Sequence, residues 1–409
     1  MKLTPKGMRD IDPEVMIIRE DVINSIKDIF CTYGYRPLET PAMEYLDTLR
    51  AKAGEEVDKQ IFVIDGGEYG LRFDLTVPLA RYASSTDAPK PFKRYQIERV
   101  WRKEEPQRGR FREFWQADVD VIGTSSMRAE AEILSLAREV CFKFGFNKPR
   151  IIINNRKILD AIADKIGVSE KRDEIFRALD KLDKIGEKEV AKLLKDLVGA
   201  KANELIKIVK SGKSNKERLS IAVKYSPEGA KELEEIVSLC NFDIEIDLFL
   251  VRGLGYYTGP VFEVKLSEDI GSVAGGGRYD RLLAVYGQDL PAVGISFGIE
   301  RLITLMLEKE KAARKTRTTV FVAAVKPDFY PNANELASKL RKKGISCETD
   351  LNERNLKKQF DYTNALSIPY MIVLGEREIE SSTYTIRDMS TGKEKKLSFN
   401  DLVKEIKGR

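Results

Sequence analysis

Apolar residues recur at helical spacing near the start of the chain, at Val15, Ile18, Val22, Ile26 and Ile29. Asp12-Pro13 in front supplies an N-cap with proline at the first helical position, and Gly34 behind supplies a stop. The period then changes. Gly70 to Thr76, Arg94 to Trp101, Phe111 to Ile122, Ile244 to Val251, Val261 to Leu266 and Val293 to Phe297 read as strands, many alternating apolar and polar residues as half-buried antiparallel strands do. Between them, residues 156–240 are rich in Lys, Glu, Leu and Ile and keep helical periodicity, the mark of an inserted helical module. A basic stretch, Lys309 to Arg317 (KEKAARKTR), follows. Beyond it TVFVAAV, a helical run from Pro331, ISCETD, a helix near Glu353 and PYMIVLG alternate strand with helix, as in a small, separately folded α/β domain. The expected division is residues 1–317, carrying the module at 156–240, and residues 318–409.

Composition narrows the class. A chain of 409 residues can bury more than one core, and 42% hydrophobic with 33% charged residues is a globular balance. No apolar run approaches the roughly 18 residues a membrane span needs, and MKLTPKGMRD lacks the apolar core of a secretory signal, so the expected location is the cytoplasm. Cys31, Cys141, Cys240 and Cys347 are widely spaced, without a CxxC pair, and read as buried reduced thiols. A net charge of +5 on this length proves nothing about nucleic acid; local patches must carry that argument. The chain contains no histidine, which excludes Ser-His-Asp and Cys-His hydrolysis.

Three blocks set arginine among glycine and aromatic residues: Arg102 to Gln116 (RKEEPQRGRFREFWQ), Arg252 to Gly259 (RGLGYYTG) and Gly294 to Leu302 (GISFGIERL). A guanidinium can hold two phosphate oxygens at once, and glycine admits close backbone approach, so the chemistry is that of a nucleotide. Singly, each block has a plainer reading: a solvated basic hairpin, an aromatic cluster at a turn, a strand-to-helix turn. Together and in this order they resemble motif 2, the histidine-specific signature and motif 3 of the histidyl-tRNA synthetases, a class II aminoacyl-tRNA synthetase family. The resemblance implies an α+β fold: an antiparallel-sheet catalytic domain with a helical insertion, plus a C-terminal α/β anticodon-binding domain. The helix after Asp12 and a strand around Thr40-Pro41 resemble motif 1, which implies a homodimer.

Residue by residue, the resemblance places Arg102 on the ATP α-phosphate, Glu104 on the adenine amino group, Arg110 near the outer phosphates, Phe114 against the adenine ring and Arg301 on the γ-phosphate. Arg252 reaches the α-phosphate from the opposite side, so that two cations clamp the pentavalent phosphorus. Magnesium is expected on the ATP phosphates, although no separate metal-ligand cluster is legible. In RFDLTVP, Asp74 and Thr76 bind the substrate ammonium, helped by Gln116; Tyr256 and Tyr257, with the glycine-rich strand pair Ser272 to Leu283, line the amino-acid pocket; and Asp120 accepts the imidazole N–H. Such a polar pocket rejects wrong side chains by about 10⁴ or more, making an editing domain unnecessary. Gln107 and Arg108, at the tip of the motif 2 loop, face the acceptor stem of a histidine tRNA; Glu105 departs from the arginine that bacterial members carry. The competing reading is a non-catalytic paralogue that regulates ATP phosphoribosyltransferase. Such paralogues lose the C-terminal domain and degrade the arginine and tyrosine signature, both of which this chain keeps. An RNA-sensing module would have lost its phosphate arginines.

Overall fold

The computed structural model describes residues 4–51, 57–107, 109–252, 255–267, 270–309 and 315–408. Contacts divide the chain into two units, one of Met1–Asp10 with Asp21–Lys309, the other of Ile11–Glu20 with Glu310–Arg409.

The first unit contains strands β1 (Arg36–Pro37), β2 (Met43–Tyr45), β3 (Val63–Ile64), β4 (Tyr69–Leu71), β5 (Phe92–Trp101), β6 (Glu113–Ile122), β7 (Arg150–Asn155), β8 (Glu245–Ile246), β9 (Pro260–Lys265), β10 (Ser272–Arg278) and β11 (Ala292–Gly298). Eight form one sheet, ordered β1-β5-β6-β11-β10-β9-β7-β8, and β2-β4-β3 form a small second one. Only the outer pairs β1–β5 and β7–β8 of the large sheet run parallel. Alternation gives this sheet two unlike faces. On β6, Ala117, Val119 and Val121 are buried on one side; the ring of Phe30, from helix Pro13–Thr32, lies 5.7 Å from Tyr95 of β5 and 6.0 Å from Phe297 of β11. The other face carries Gln116, Asp118 and Asp120 of β6, opposite Glu98, Gln96 and Arg94 of β5. Apolar burial thus holds one face while the polar face stays available for chemistry.

Between β7 and β8 the chain runs through helices Arg156–Lys165, Arg172–Asp180, Leu182–Val198, Lys201–Val209, Asn215–Tyr225 and Pro227–Leu239. Several begin where their sequence says they should: the side chains of Asn155, Ser214 and Ser226 accept backbone N–H groups of the first turn, and Pro227 occupies the first helical position.

The second unit has a five-stranded sheet in the order β13-β12-β14-β15-β16, built from β12 (Val320–Ala324), β13 (Cys347–Thr349), β14 (Tyr370–Leu374), β15 (Thr383–Asp388) and β16 (Glu394–Ser398). β13, β12 and β14 are parallel, and β15 and β16 continue antiparallel. Helices Tyr330–Lys342 and Phe399–Lys407 place Leu336, Leu340, Leu402 and Ile406 in the core with Val320, Val322 and Ile372.

Four expected strands differ from those observed. Gly70 to Thr76 is strand only to Leu71, because the Asp74 carboxylate accepts the Val77 N–H at 3.0 Å and starts helix Thr76–Ser84. Ile244 to Val251 pairs only at Glu245–Ile246: Asp247 accepts from Phe249 and Leu250 and turns the chain. The pair expected over Ser272 to Leu283 is the single strand β10, since the Asp280 N–H bonds the Thr258 hydroxyl and the Asp280 carboxylate bonds the Ala292 N–H. No strand forms at Thr40-Pro41. Proline has no N–H to give, and Thr40 instead bonds the Gln96 side chain and accepts from Arg72.

Candidate active site

On the polar face of the large sheet lies a cavity of about 480 Å³. Its floor is glycine-rich for a visible reason. A Cβ on Gly275 would stand 2.6 Å from Cζ of Arg252, and one on Gly294 would stand 2.6 Å from Cγ of Asp120. The side chains that give the site its charge lie across these two backbones, where any methyl group would displace them.

Positive charge gathers at one end. Arg301, at the first turn of helix Ile299–Lys309, donates to the Ser272 carbonyl; burial pushes its pKa down to about 10, and the charges of Arg110 and Arg252 push the same way. Arg252 binds Glu263 of β9 at 2.6 Å, and Arg110 lies 3.7 Å from Glu104. Arg102 donates to the Phe73 carbonyl at 2.9 Å and stacks 5.2 Å from the centre of the Phe114 ring. A guanidinium whose charge is disfavoured by burial and by like neighbours is poised for an anion.

Negative charge gathers at the other end. Asp74, Asp118 and Asp120 are each 2% exposed, and burial raises the pKa of all three, that of Asp118 to about 7. Arg94, fully buried, ion-pairs with Asp120 at 2.8 Å and donates to the Leu75 carbonyl, while Tyr279 donates to the other Asp120 oxygen. Tyr256 donates to Asp74 at 3.3 Å, and its ring packs 4.9 Å from that of Tyr257 and 5.8 Å from that of Tyr279. The tyrosines therefore form an aromatic cluster that also lines the cavity. Gln116 donates to Ser296 at 2.6 Å, and its own carbonyl oxygen is buried without a hydrogen bond.

The structure brings Arg102, Arg252, Arg301, Asp74, Thr76, Gln116, Asp120, Tyr256, Tyr257, Glu104, Arg110, Phe114 and Gln107 to this one cavity. Arg108 lies outside the described residues, as do Gly253 and Leu254 of the signature and residues 310–314 of the basic stretch. Sequence reasoning missed Arg94, Asp118, Glu263, Tyr279 and Ser296, and also Arg177 and Lys181, which reach the cavity from the helical segment. For Asp118 and Ser296 the signal was the strand period, which sets them beside Gln116 and Gly294 on the same face. For Arg177 and Lys181 nothing separates them in sequence from solvated helix charges. No group of three or more Cys, Asp or Glu side chains suited to a metal ion occurs among the described residues.

With this geometry in view, comparisons with known proteins agree. The family profile described as Histidyl-tRNA synthetase matches residues 7–302, and the one described as Anticodon binding domain matches residues 319–409. The histidine–tRNA ligase of Aeropyrum pernix is 39% identical over 98% of this chain and 97% of its own length. A crystal structure of histidyl-tRNA synthetase from Nostoc sp. PCC 7120 superposes with a TM-score of 0.85 at 30% identity, covering 100% of this chain and 99% of that one. A structure from Bacillus halodurans, described as an ATP phosphoribosyltransferase regulatory subunit/histidyl-tRNA synthetase, has a TM-score of 0.72 at 22% identity, covers 88% of this chain and 96% of that one, and shares the fold.

Proposed function

The chain belongs to the histidyl-tRNA synthetase family, and we propose that its reaction, the ATP-driven ligation of histidine to tRNA, runs in the cavity above β6, β10 and β11. One observation carries the assignment of the site: within a single cavity, three buried carboxylates stand at one end and converging arginines at the other. Few ligand pairs need both. An amino acid offers an ammonium group to the acidic end, and ATP offers a polyphosphate to the basic end.

The attacking carboxylate of histidine is already ionised at neutral pH, so the first step needs positioning and charge stabilisation rather than a base. Arg102 and Arg252 hold the α-phosphate from two sides as the carboxylate adds and pyrophosphate leaves. Arg301 and Arg110 hold the outer phosphates, Phe114 stacks on adenine and Glu104 accepts from its amino group. Asp74, Thr76 and Gln116 fix the ammonium; Asp120 and Tyr257 read the two imidazole nitrogens, one as donor and one as acceptor. At the phosphate end Glu263 is the hard oxygen donor that would meet a magnesium ion carried by the triphosphate, and such an ion would neutralise phosphate charge there. In the second step the terminal ribose hydroxyl of tRNA attacks the adenylate; Gln107 and Arg108 face the acceptor stem, and Arg177 and Lys181 add positive charge to the cavity wall.

The regulatory reading lacks support of its own: the full-length relatives at 37–39% identity are histidine–tRNA ligases. Residues 1–317 act as the catalytic domain with its insert at 156–240, and residues 318–409 as the anticodon-binding domain. The active form is a homodimer, supported by the motif 1 resemblance and by Met43, Tyr45 and Val63, exposed apolar residues on the small β2-β4-β3 sheet. No helix among the described residues is long and apolar enough to cross a membrane, and the place of work is the cytoplasm.

The test is ATP–pyrophosphate exchange with each of the twenty amino acids, followed by charging of a histidine tRNA. Exchange confined to histidine is the expected result. Exchange with a different amino acid would overturn the pocket assignment. Sedimentation velocity that finds only monomer at assay concentration would overturn the dimer.

A further inference from the structure

Accepting the amino-acid end of the cavity as proposed, we infer that Asp118 is a further specificity residue, the carboxylate that supplies the open counter-charge for the ammonium group of the substrate. The argument begins with what the other acceptors are doing. Asp74 takes the Val77 N–H on one oxygen and the Tyr256 hydroxyl on the other. Asp120 is held by Arg94 on one oxygen and by Tyr279 on the other. Asp74 is hydrogen-bonded on both oxygens, and Asp120, hydrogen-bonded on one oxygen, has no hydrogen bond on the other but is ion-paired there with Arg94, so its charge is already matched before a ligand arrives. Asp118, two residues from each of Gln116 and Asp120 on the same face of β6, lines the cavity with Oδ1 buried and without a hydrogen bond. The buried Gln116 carbonyl oxygen beside it is in the same position. Two adjacent open acceptors, one able to carry negative charge, suit an N–H₃⁺ group and nothing apolar.

The charges around Asp118 point the same way. Arg94 on β5 favours its ionised form, Ser296 on β11 donates to it, and Asp120 and Asp74 oppose ionisation; Gln96, its partner on β5, and Gln116 are neutral. With burial added, the carboxyl is held near the neutral form in the absence of ligand, and an arriving cation releases its proton. Asp118 therefore binds the ammonium group and makes that binding proton-linked.

The experiment compares wild type with Asp118→Asn for histidine, histidinol (ammonium and imidazole, no carboxylate) and imidazolepropionate (imidazole and carboxylate, no ammonium). Expected is a loss of roughly 10- to 100-fold for histidine and histidinol, the range of one charged hydrogen bond, with imidazolepropionate affinity unchanged. Equal loss for all three ligands would mean that Asp118 serves the imidazole or only the scaffold, and would overturn the inference. So would histidine binding within threefold of wild type. Should the variant not fold, calorimetry of wild type in two buffers of different ionisation enthalpy decides: at pH 6.5, proton release on binding histidinol must exceed what neutralising its own imidazole accounts for, while release on binding imidazolepropionate must not, and no excess for histidinol refutes the link. A wild-type protein that bound none of the three ligands would instead bring down the pocket assignment itself, and the role of Asp118 with it.

Discussion

Gly275→Ala separates the geometry of the site from the stability of the fold. The added methyl group would stand 2.6 Å from Cζ and 2.9 Å from Nη2 of Arg252, well inside the 3.4 Å at which ordinary contact begins. The three nearest atoms all belong to the end of one flexible side chain, so relief comes from moving the guanidinium by about 1 Å rather than from moving the sheet. That shift breaks the 2.6 Å bond to Glu263, which fixes the direction of the arginine. Removing one preorganised donor from a transition state costs about 2.7–4 kcal/mol, or about 10²–10³ in kcat. Pyrophosphate exchange should fall by that factor with the KM for histidine within about threefold and the melting temperature within a few degrees. The neighbouring Gly276→Ala is the control: its Cβ would lie 2.7 Å from the Ile295 Cα and 2.9 Å from the Gly294 carbonyl carbon, backbone that cannot yield, so the protein should fail to fold. Gly275→Ala enzyme with wild-type kcat and an unchanged melt would refute the argument that glycine is there to admit Arg252 and that Arg252 acts on the reacting phosphate.

Other consequences follow from the charges. Arg301→Ala should abolish nearly all exchange and raise the KM for ATP at least tenfold, yet leave the fold as stable or more so, because it removes a cation disfavoured by burial and by Arg110 and Arg252; a melting temperature lower by 10 °C would contradict this. Asp118→Asn should change the pH dependence of stability. The folded pKa, about 7, lies above that of an unfolded aspartate, so wild type loses stability as pH rises from about 4 to about 7 and carries the full cost above that; about three units correspond to ~4 kcal/mol as an upper figure, and the variant should be the more stable at pH 8 and equal at pH 4 in urea titrations. Arg177→Ala combined with Lys181→Ala should weaken tRNA charging by roughly tenfold and lower its salt slope by about two, with a smaller effect on exchange. Equal loss in both assays would place these side chains on ATP instead.

The sequence made the cavity legible where chemistry and spacing coincide, and failed where a local bond overrides a period. β5, β6, β9 and β11 were readable because alternation there has one meaning: apolar residues face the helices packed on one side of the sheet and polar ones face the cavity. The run from Gly70 to Thr76 alternates equally well, but Asp74 caps a helix, and that one hydrogen bond decides the outcome. Arg94, Tyr279 and Glu263 were hidden for another reason. Each acts on a residue outside its own element, Arg94 and Tyr279 on Asp120 and Glu263 on Arg252, and only the fold brings them together. The hairpin of β15 and β16, with exposed lysines and few apolar residues, offered no period strong enough to read.

A chain without histidine that binds histidine has an unusual property as an object of titration. Every imidazole in the cavity belongs to the substrate, and no protein imidazole can contribute an inflection near neutrality. Burial raises the thiols of Cys141, Cys240 and Cys347 to about 12, about 11 and about 12, whereas Cys31, expected to be buried like them, is exposed and lies outside the cavity lining. Within the site, burial brings Asp118 to about 7 and raises Asp74 and Asp120 in the same direction. With ATP saturating, a near-neutral inflection in kcat/KM for histidine thus comes either from the substrate imidazole or from the buried carboxyls, and the two can be told apart by chemistry alone. One follows the imidazole when the substrate is replaced by a ring-substituted analogue of different pKa, and the other stays with the protein. The clarity comes from composition, and the charge segregation that makes Asp118 titratable comes from the fold.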